Sequence, residues 1–178
     1  MKTIDLHTPI KEYDLQQLKA GHFLTISGTI YTARDKAHKK IAELVAQKKP
    51  LPIDFSNAVI YYAGPSPAPP GMPVGAIGPT TSYRMDAYTE IMLSLGVRMF
   101  IGKGSRSSEV KKLLVNYQAV YCSSFGGAAA FLNQCVLDAE IIAFEEFGPE
   151  AMYKLTVKNF PVIVINDMYG GDLYADIQ

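Results

Sequence analysis

Short runs of apolar residues alternate along this chain with longer segments in which apolar residues recur every three or four positions. The first pattern predicts β-strands and the second predicts amphipathic helices. The predicted strands are residues 23–31, 58–63, 97–101, 119–122, 139–144, 155–157 and 162–165. The predicted helices are residues 9–20, 32–48, 82–95, 107–118 and a short one that begins at 126. Strands that alternate with helices and end in a strand-rich tail indicate an α/β domain with a mixed sheet.

Residues 78–86, Gly-Pro-Thr-Thr-Ser-Tyr-Arg-Met-Asp, lead from a proline-rich loop into the third predicted helix. A helix start favours anions because its first N–H groups have no partner within the helix. Arg84 adds a planar guanidinium that suits a carboxylate or a phosphate. Thr80 and Thr81 are equally consistent with a capping role, in which a hydroxyl accepts a hydrogen bond from a helix N–H. This stretch is therefore a candidate for half of an anion-binding site.

Two further cations lie just after predicted strands. Arg34 comes three residues after the strand predicted at 23–31, in the first turn of the next predicted helix, and Lys103 lies between two glycines after residues 97–101. Ligands of α/β sheets gather at the carboxyl ends of strands, so these cations are expected to converge. The glycines beside Lys103 would let backbone N–H groups approach an anion, although no phosphate-loop motif is present. The pattern predicts a cationic pocket for a small acid that carries one or two carboxylates.

Simple ion pairing is the alternative for two of these cations. Arg34 could pair with Asp35, and Arg84 could form a surface pair with Asp86 or Glu90. A further pattern at the start of the second predicted helix, Thr32 followed by Asp35, resembles a capping box.

Composition limits the range of functions. The chain has 178 residues, enough for one domain over 1–178. It carries 17 basic and 17 acidic residues, which gives no reason to expect a nucleic-acid or membrane surface. Because 48% of the residues are hydrophobic, part of the apolar surface is expected to be covered by another chain. The N-terminus has no apolar run of signal-peptide length, so we expect a cytoplasmic protein.

Few residues are candidates for binding metal. Cys122 and Cys135 are expected to be buried thiols, and two cysteines are too few for an iron–sulfur cluster. His38 has no second histidine or cysteine near it in the sequence, so it is expected to form hydrogen bonds rather than ligate metal. Gly126 and Gly127 are expected to allow close packing of a helix.

Four blocks of sequence occur here in an order that resembles a known family. They are residues 32–39 (TARDKAHK), 62–65 (YAGP), 78–86 (GPTTSYRMD) and 101–104 (IGKG). The chain resembles the β subunit, or C-terminal domain, of the iron–sulfur-dependent class I fumarate hydratases, a family shared with L-tartrate dehydratase.

The resemblance implies a swivelling β/β/α domain that closes over a [4Fe-4S] cluster held by a separate α subunit, in a hetero-oligomer such as α2β2. It assigns Arg34, Arg84 and Lys103 to the substrate carboxylates and Thr80 to proton transfer, with an activating group supplied by the α subunit. The implied reaction is the reversible hydration of fumarate to L-malate. Dehydration of L-tartrate or another 2-hydroxy acid is an alternative, as is a dicarboxylate-binding module without catalysis.

Overall fold

The computed structural model describes residues 3–125, 127 and 129–175. The strands are β1 (Thr3–His7), β2 (Phe23–Thr32), β3 (Val59–Tyr61), β4 (Met99–Gly102), β5 (Val120–Ser123), β6 (Val136–Ala143) and β7 (Met152–Asn166). The helices are α1 (Glu12–Gln16), α2 (Asp35–Ala46), α3 (Asp86–Ser94), α4 (Ser108–Asn116) and α5 (Ala129–Leu132). Short 3₁₀ turns cover Ser82–Met85, Asn133–Cys135 and Glu145–Glu150. Within the described part of the chain, no helix is both long and apolar enough to cross a membrane.

All seven strands belong to one mixed sheet in the order β1-β2-β3-β4-β5-β7-β6. The first five strands pair in parallel, whereas β7 runs antiparallel to β5 and β6. β7 also pairs antiparallel with β2, from Phe23 opposite Ile163 to Tyr31 opposite Lys154. This extra pairing closes β2, β3, β4, β5 and β7 into a barrel-like ring, to which β1 and β6 are attached. The predicted α/β class with a mixed sheet is confirmed.

The closed sheet separates two apolar clusters. On β3, Val59 and Tyr61 belong to the cluster enclosed by the strands. Ile60 belongs to the second cluster, together with side chains from the helices that cover the sheet, such as Ile41 of α2 and Leu114 of α4. A strand that is buried on both faces is expected to be apolar throughout, as residues 58–63 are. Helices α2, α3 and α4 lie on the outer face, and the carboxyl ends of β2, β3 and β4 lie side by side.

Several predicted boundaries are wrong, with physical reasons. β1 was not predicted, because Leu6 is its one buried residue and the alternation is too weak to detect. The helix predicted at 9–20 is limited to α1. The two strands predicted at 155–157 and 162–165 are parts of β7, which continues through Asn159 in a left-handed conformation (φ 52°).

The predicted capping box is also wrong. Thr32 is the last residue of β2, and its hydroxyl accepts a hydrogen bond from the Tyr153 N–H (3.0 Å). The helix begins three residues later, at Asp35. The glycine pair predicted to allow helix packing lies partly outside the described residues, since Gly126 is not among them.

Asp167 ties the end of β7 to the turn that precedes β2. Its carboxylate accepts hydrogen bonds from the backbone N–H groups of Ala20 (2.9 Å), Tyr169 (2.9 Å) and Gly171 (2.8 Å). The residue is 4% exposed. Three N–H donors therefore depend on one buried carboxylate, and donors that lose such a partner are costly to leave unbonded.

Asp167→Ala is expected to lower the free energy of unfolding by roughly 3 kcal/mol, because charge-assisted bonds are lost and the donors are left unpaired. Urea denaturation measures this change. Asp54→Ala is the matched control, since Asp54 also accepts backbone and side-chain hydrogen bonds, both from Ser56, but is exposed. Equal destabilisation by the two variants would contradict the importance of burial at Asp167.

Candidate active site at the carboxyl edge of the sheet

The candidate site lies where β2, β3 and β4 end. Arg34 follows β2 after one intervening residue, Ala33, whose N–H donates to the Tyr61 carbonyl of β3 (3.1 Å). The half-buried Arg34 side chain passes close to Gly64, where an added Cβ would lie 3.1 Å from Arg34 Cδ. The ends of β2 and β3 are therefore joined by the backbone, and Arg34 lies over that junction.

The Thr-Thr segment returns to the same edge and is bonded into it by its backbone. The Thr80 N–H donates to the Tyr62 carbonyl (2.6 Å), and the Thr80 carbonyl accepts from the Lys103 N–H (3.2 Å). The Ser82 N–H then donates to the Lys103 carbonyl (2.9 Å). Main-chain hydrogen bonds thus place Thr80 beside Lys103, and the side chains of these two residues take no part in those bonds.

The Thr hydroxyls do not act as helix caps. Thr81 occupies the cap position of the 3₁₀ turn Ser82–Met85, but its side chain accepts no cap hydrogen bond. Thr80 lies one residue before that position and is partly exposed. The capping alternative for these two threonines is wrong.

Arg84 lies in this 3₁₀ turn and approaches the start of α2. Its Nη2 lies 3.3 Å from Asp35 Oδ2, and the two side chains are 40% and 38% exposed. An ion pair this exposed contributes little, so a bound anion can replace it at small cost. Arg84 therefore pairs with Asp35 rather than with Asp86 or Glu90, and Asp35 is the neighbour of Arg34. This pair brings the Arg84 turn to the Arg34 helix.

Lys103 is exposed, and its two glycines have different functions. A Cβ at Gly102 would collide with Ser82 Oγ and lie 2.8 Å from the Tyr62 ring. Gly104 has φ +80°, a left-handed conformation that glycine adopts easily. The Lys103 N–H already donates to the Thr80 carbonyl (3.2 Å) and to Ser82 Oγ (3.1 Å), so this N–H is not available to an anion. The Lys103 ammonium takes no part in these bonds.

His38 lies beneath Arg34 and is 1% exposed. Its Nδ1 is 2.9 Å from the Arg34 carbonyl, and its ring packs against Tyr62 and Tyr88 with centroids 5.4 and 6.0 Å away. Burial lowers the pKa of His38 to about 4, so the imidazole is neutral near pH 7. The hydrogen bond of His38 agrees with the role predicted from the sequence.

Arg106 is a buried cation that the sequence did not single out. Its Nε donates to Asp86 Oδ1 (2.6 Å), and its ring neighbours include Tyr62, Phe100 and Tyr121. Burial raises the pKa of Tyr62, so that phenol stays protonated. The motif Gly-Ser-Arg-Ser that contains Arg106 resembles an ordinary polar loop, and nothing in it distinguishes a buried arginine from an exposed one.

The cysteines do not belong to this site. Cys122 is buried on β5, and burial raises the pKa of its thiol. Cys135 is half-buried in the turn before β6, near the Asn159 carbonyl. Among residues 3–125, 127 and 129–175, no group of three or more His, Cys, Asp and Glu side chains is placed to hold a metal ion. The candidate groups that the sequence predicts at this edge are therefore three cations and the Thr80 hydroxyl.

The burial of neutral His38 predicts a pH-dependent stability. The folded pKa near 4 is below the unfolded value of about 6.5, so stability is complete above pH 6.5 and falls as the pH drops towards 4. The expected loss over this window is roughly 3 kcal/mol. Urea denaturation between pH 4 and 7 should show a flatter curve for His38→Gln than for the unsubstituted chain. His7→Gln, at an exposed position, should keep the original slope; parallel curves for all three proteins would contradict the prediction.

Comparison with known proteins shows the family to which the chain belongs. A family model described as the fumarase C-terminus matches residues 1–177. The chain is 39% identical over 178 residues to "Fumarate hydratase class I, anaerobic" of Escherichia coli (strain K12), an alignment that covers 98% of the chain and 32% of that protein. It is 36% identical over 179 residues to "Fumarate hydratase 1, mitochondrial" of Leishmania major, with 98% and 32% covered.

A shorter relative matches over most of both chains. "Putative L(+)-tartrate dehydratase subunit beta" of Methanocaldococcus jannaschii is 38% identical over 171 residues, which are 93% of this chain and 88% of that protein. The chain therefore spans about a third of the length of the fumarate hydratases it matches and nearly all of this subunit. With the model matched from residue 1 to residue 177, the chain belongs to the fumarase C-terminus family.

Proposed function

We propose that this chain is the β subunit of a hydro-lyase that reversibly hydrates fumarate to L-malate. The observation that carries the proposal is the placement of Arg34, Thr80, Arg84 and Lys103 along one sheet edge. A second candidate, dehydration of L-tartrate or a related 2-hydroxy acid, is favoured by the relative named as a tartrate dehydratase subunit, of which the chain covers 88%. Both reactions use a dicarboxylate, so the same cations serve either substrate.

The three cations would hold the substrate carboxylates. Arg84 has a weakly held partner in Asp35, so its guanidinium can turn to a carboxylate and bind it through two parallel N–H donors. Arg34 lies beside Asp35 on the same edge, and Lys103 has an exposed side chain between two glycines. Two arginines and a lysine offer cationic partners for both ends of a dicarboxylate.

Thr80 would transfer the proton at the substrate carbon. A threonine hydroxyl is a poor base without a neighbour that activates it. The Thr80 N–H and C=O form hydrogen bonds with the backbone of Tyr62 and Lys103, which fixes the direction in which the Thr80 side chain leaves the backbone. We infer that the activating group comes from the partner chain, which would complete the site.

The same partner would carry the metal cofactor. The described cysteines are a core thiol and a half-buried thiol, and neither faces the site, so the residues of this chain do not fit a [4Fe-4S] cluster. When bound to a partner α subunit, such a cluster would polarise the substrate hydroxyl as a Lewis acid. Both thiols are free, as expected in a reducing compartment such as the cytoplasm.

Exposed aromatic residues near the site support a covering partner. Tyr83, which precedes Arg84, is 65% exposed, and Phe125, which follows β5 at the same edge of the sheet, is 41% exposed. Exposed aromatic side chains are typical of surfaces that another chain covers. We propose that an α subunit docks over this edge, in a hetero-oligomer such as α2β2.

Arg84→Ala is expected to lower kcat/KM for the dicarboxylate about 100-fold, the effect of losing one bidentate charge-assisted contact. The complex with a fumarase-type α chain is prepared without oxygen, and hydration of fumarate and mesaconate and dehydration of L-tartrate are measured. Lys112→Ala removes an exposed cation of α4 and should leave the rates unchanged. Full activity of an Arg84→Ala complex that still assembles would contradict the proposed site.

Thr80→Val and Thr81→Val form a matched pair at adjacent positions. Loss of a proton-transfer group is expected to lower kcat about 100-fold or more in Thr80→Val, with little change in KM. Thr81→Val should keep most of the activity, since its hydroxyl caps nothing and has no assigned chemistry. Steady-state kinetics of the same complex separates the two variants. Tight dicarboxylate binding without turnover by the unsubstituted complex would instead indicate a binding module.

A further inference from the structure

Arg106 is the most deeply buried cation near the site and takes no part in the proposed chemistry. It is 4% exposed and lies in the loop between Lys103 and α4. A buried guanidinium is unfavourable unless it is paired and its donors are bonded. Its partners come from three separate segments of the chain, which carry or contact the segments of Arg84, Thr80 and Lys103.

The first set of contacts reaches the start of α3. Asp86 accepts from Arg106 Nε (2.6 Å) through one oxygen and from the Ser107 N–H (2.9 Å) through the other. One turn further along α3, Thr89 Oγ1 accepts from Arg106 Nη2 (2.6 Å). Asp86 lies two residues after Arg84. The guanidinium thus fixes the turn that carries Arg84 to the loop that follows Lys103.

The second contact reaches the end of β3. Arg106 Nη1 donates to the Tyr62 hydroxyl (3.3 Å), and the guanidinium carbon lies 5.4 Å from the centre of the Tyr62 ring. The backbone carbonyl of Tyr62 is the acceptor for the Thr80 N–H. The segment that carries Thr80 is therefore connected to Arg106 through one residue.

The third contact acts on the glycine that follows Lys103. The guanidinium carbon lies 5.1 Å from the centre of the Tyr121 ring. The Tyr121 hydroxyl lies 2.7 Å from the Gly104 carbonyl and 2.9 Å from Ser82 Oγ. Ser82 Oγ in turn accepts from the Lys103 N–H. Arg106 therefore packs against Tyr121, whose hydroxyl contacts Gly104, on one side of Lys103, and Ser82, the acceptor for the Lys103 N–H.

We propose that Arg106 is a positioning residue that fixes Thr80, Arg84 and Lys103 relative to one another. Its charge is balanced by Asp86 and is shielded from solvent, so it acts through geometry and not by attracting the substrate. The consequence for catalysis rests on the proposed function, whereas the consequence for backbone geometry does not.

The test compares Arg106→Lys with the unsubstituted chain. Lysine keeps the charge beside Asp86 but lacks the planar fork that bonds Thr89 and Tyr62 at the same time. Amide hydrogen exchange is measured on the full 178-residue chain, and kinetics on its complex with the α chain. Exchange at the Ser82 and Lys103 amides is expected to become about tenfold faster, while the Val164 amide on β7 is unaffected. In the complex, KM for the dicarboxylate is expected to rise about tenfold with a smaller change in kcat.

Arg98→Lys is the matched control. Arg98 is half-buried and, like Arg106, donates side-chain hydrogen bonds, here to the carbonyls of Leu93 (3.1 Å) and Val97 (3.0 Å), but it lies before β4, at the opposite end of that strand from Lys103. It should leave both amides and KM unchanged. Unaltered exchange at Ser82 and Lys103 in Arg106→Lys would overturn the proposal, as would an equal acceleration at Val164.

Two milder variants keep the test decisive if Arg106→Lys does not fold. Tyr62→Phe and Thr89→Val each remove one acceptor and keep the ion pair with Asp86. Either variant should accelerate exchange at the Ser82 and Lys103 amides, and no acceleration in both would overturn the proposal. A wild-type complex without hydro-lyase activity would refute the proposed function, and the exchange measurements would still decide the role of Arg106.

Discussion

The antiparallel pairing of β2 with β7 is the constraint on which the rest of the structure depends. Without it, the strands would form an open sheet in which β2 and β5 are far apart. With it, the five strands close into a ring, one apolar cluster fills its interior, and α2, α3 and α4 pack against its outer face. The parallel strands β2, β3 and β4 then end together at one edge. The site is at this edge because the closed sheet brings three strand ends and their following loops together.

The sequence predicts most of this arrangement, and the errors have local causes. Apolar runs such as residues 58–63 identify the central strands, because a strand buried on both faces leaves a continuous signal. β1 is missed because it has one buried residue, a leucine, among five, which leaves no recognisable pattern of apolar residues in the sequence. Closure of the ring is not predictable from periodicity, since it pairs residues such as Phe23 and Ile163 that are far apart in the chain.

The candidate site likewise contains residues that the sequence predicts and residues that it misses. Arg34, Arg84 and Lys103 are found because each is a cation directly after a strand or at a helix start, and topology brings such positions to one edge. Arg106 is missed because its burial depends on partners from β3, α3 and β5. The pairing of Arg84 with Asp35 is missed for a similar reason, as local spacing points to Asp86 and Glu90 instead. The sequence thus predicts the cations proposed to bind the substrate, whereas the contacts proposed to position them are seen only in the folded chain.

The backbone hydrogen bonds of the segment that carries Thr80 have a consequence for the evolution of this fold. Thr80 and Lys103 are positioned by main-chain N–H and C=O groups, and these bonds persist when the side chains are exchanged. Glycine is required at position 102 because a side chain there would collide with Ser82. The side chains proposed to face the substrate can therefore be replaced while the hydrogen-bonded backbone that positions them stays the same. Such a scaffold accepts new specificities without first losing its shape, which fits relatives named for two different dicarboxylates, fumarate and L(+)-tartrate.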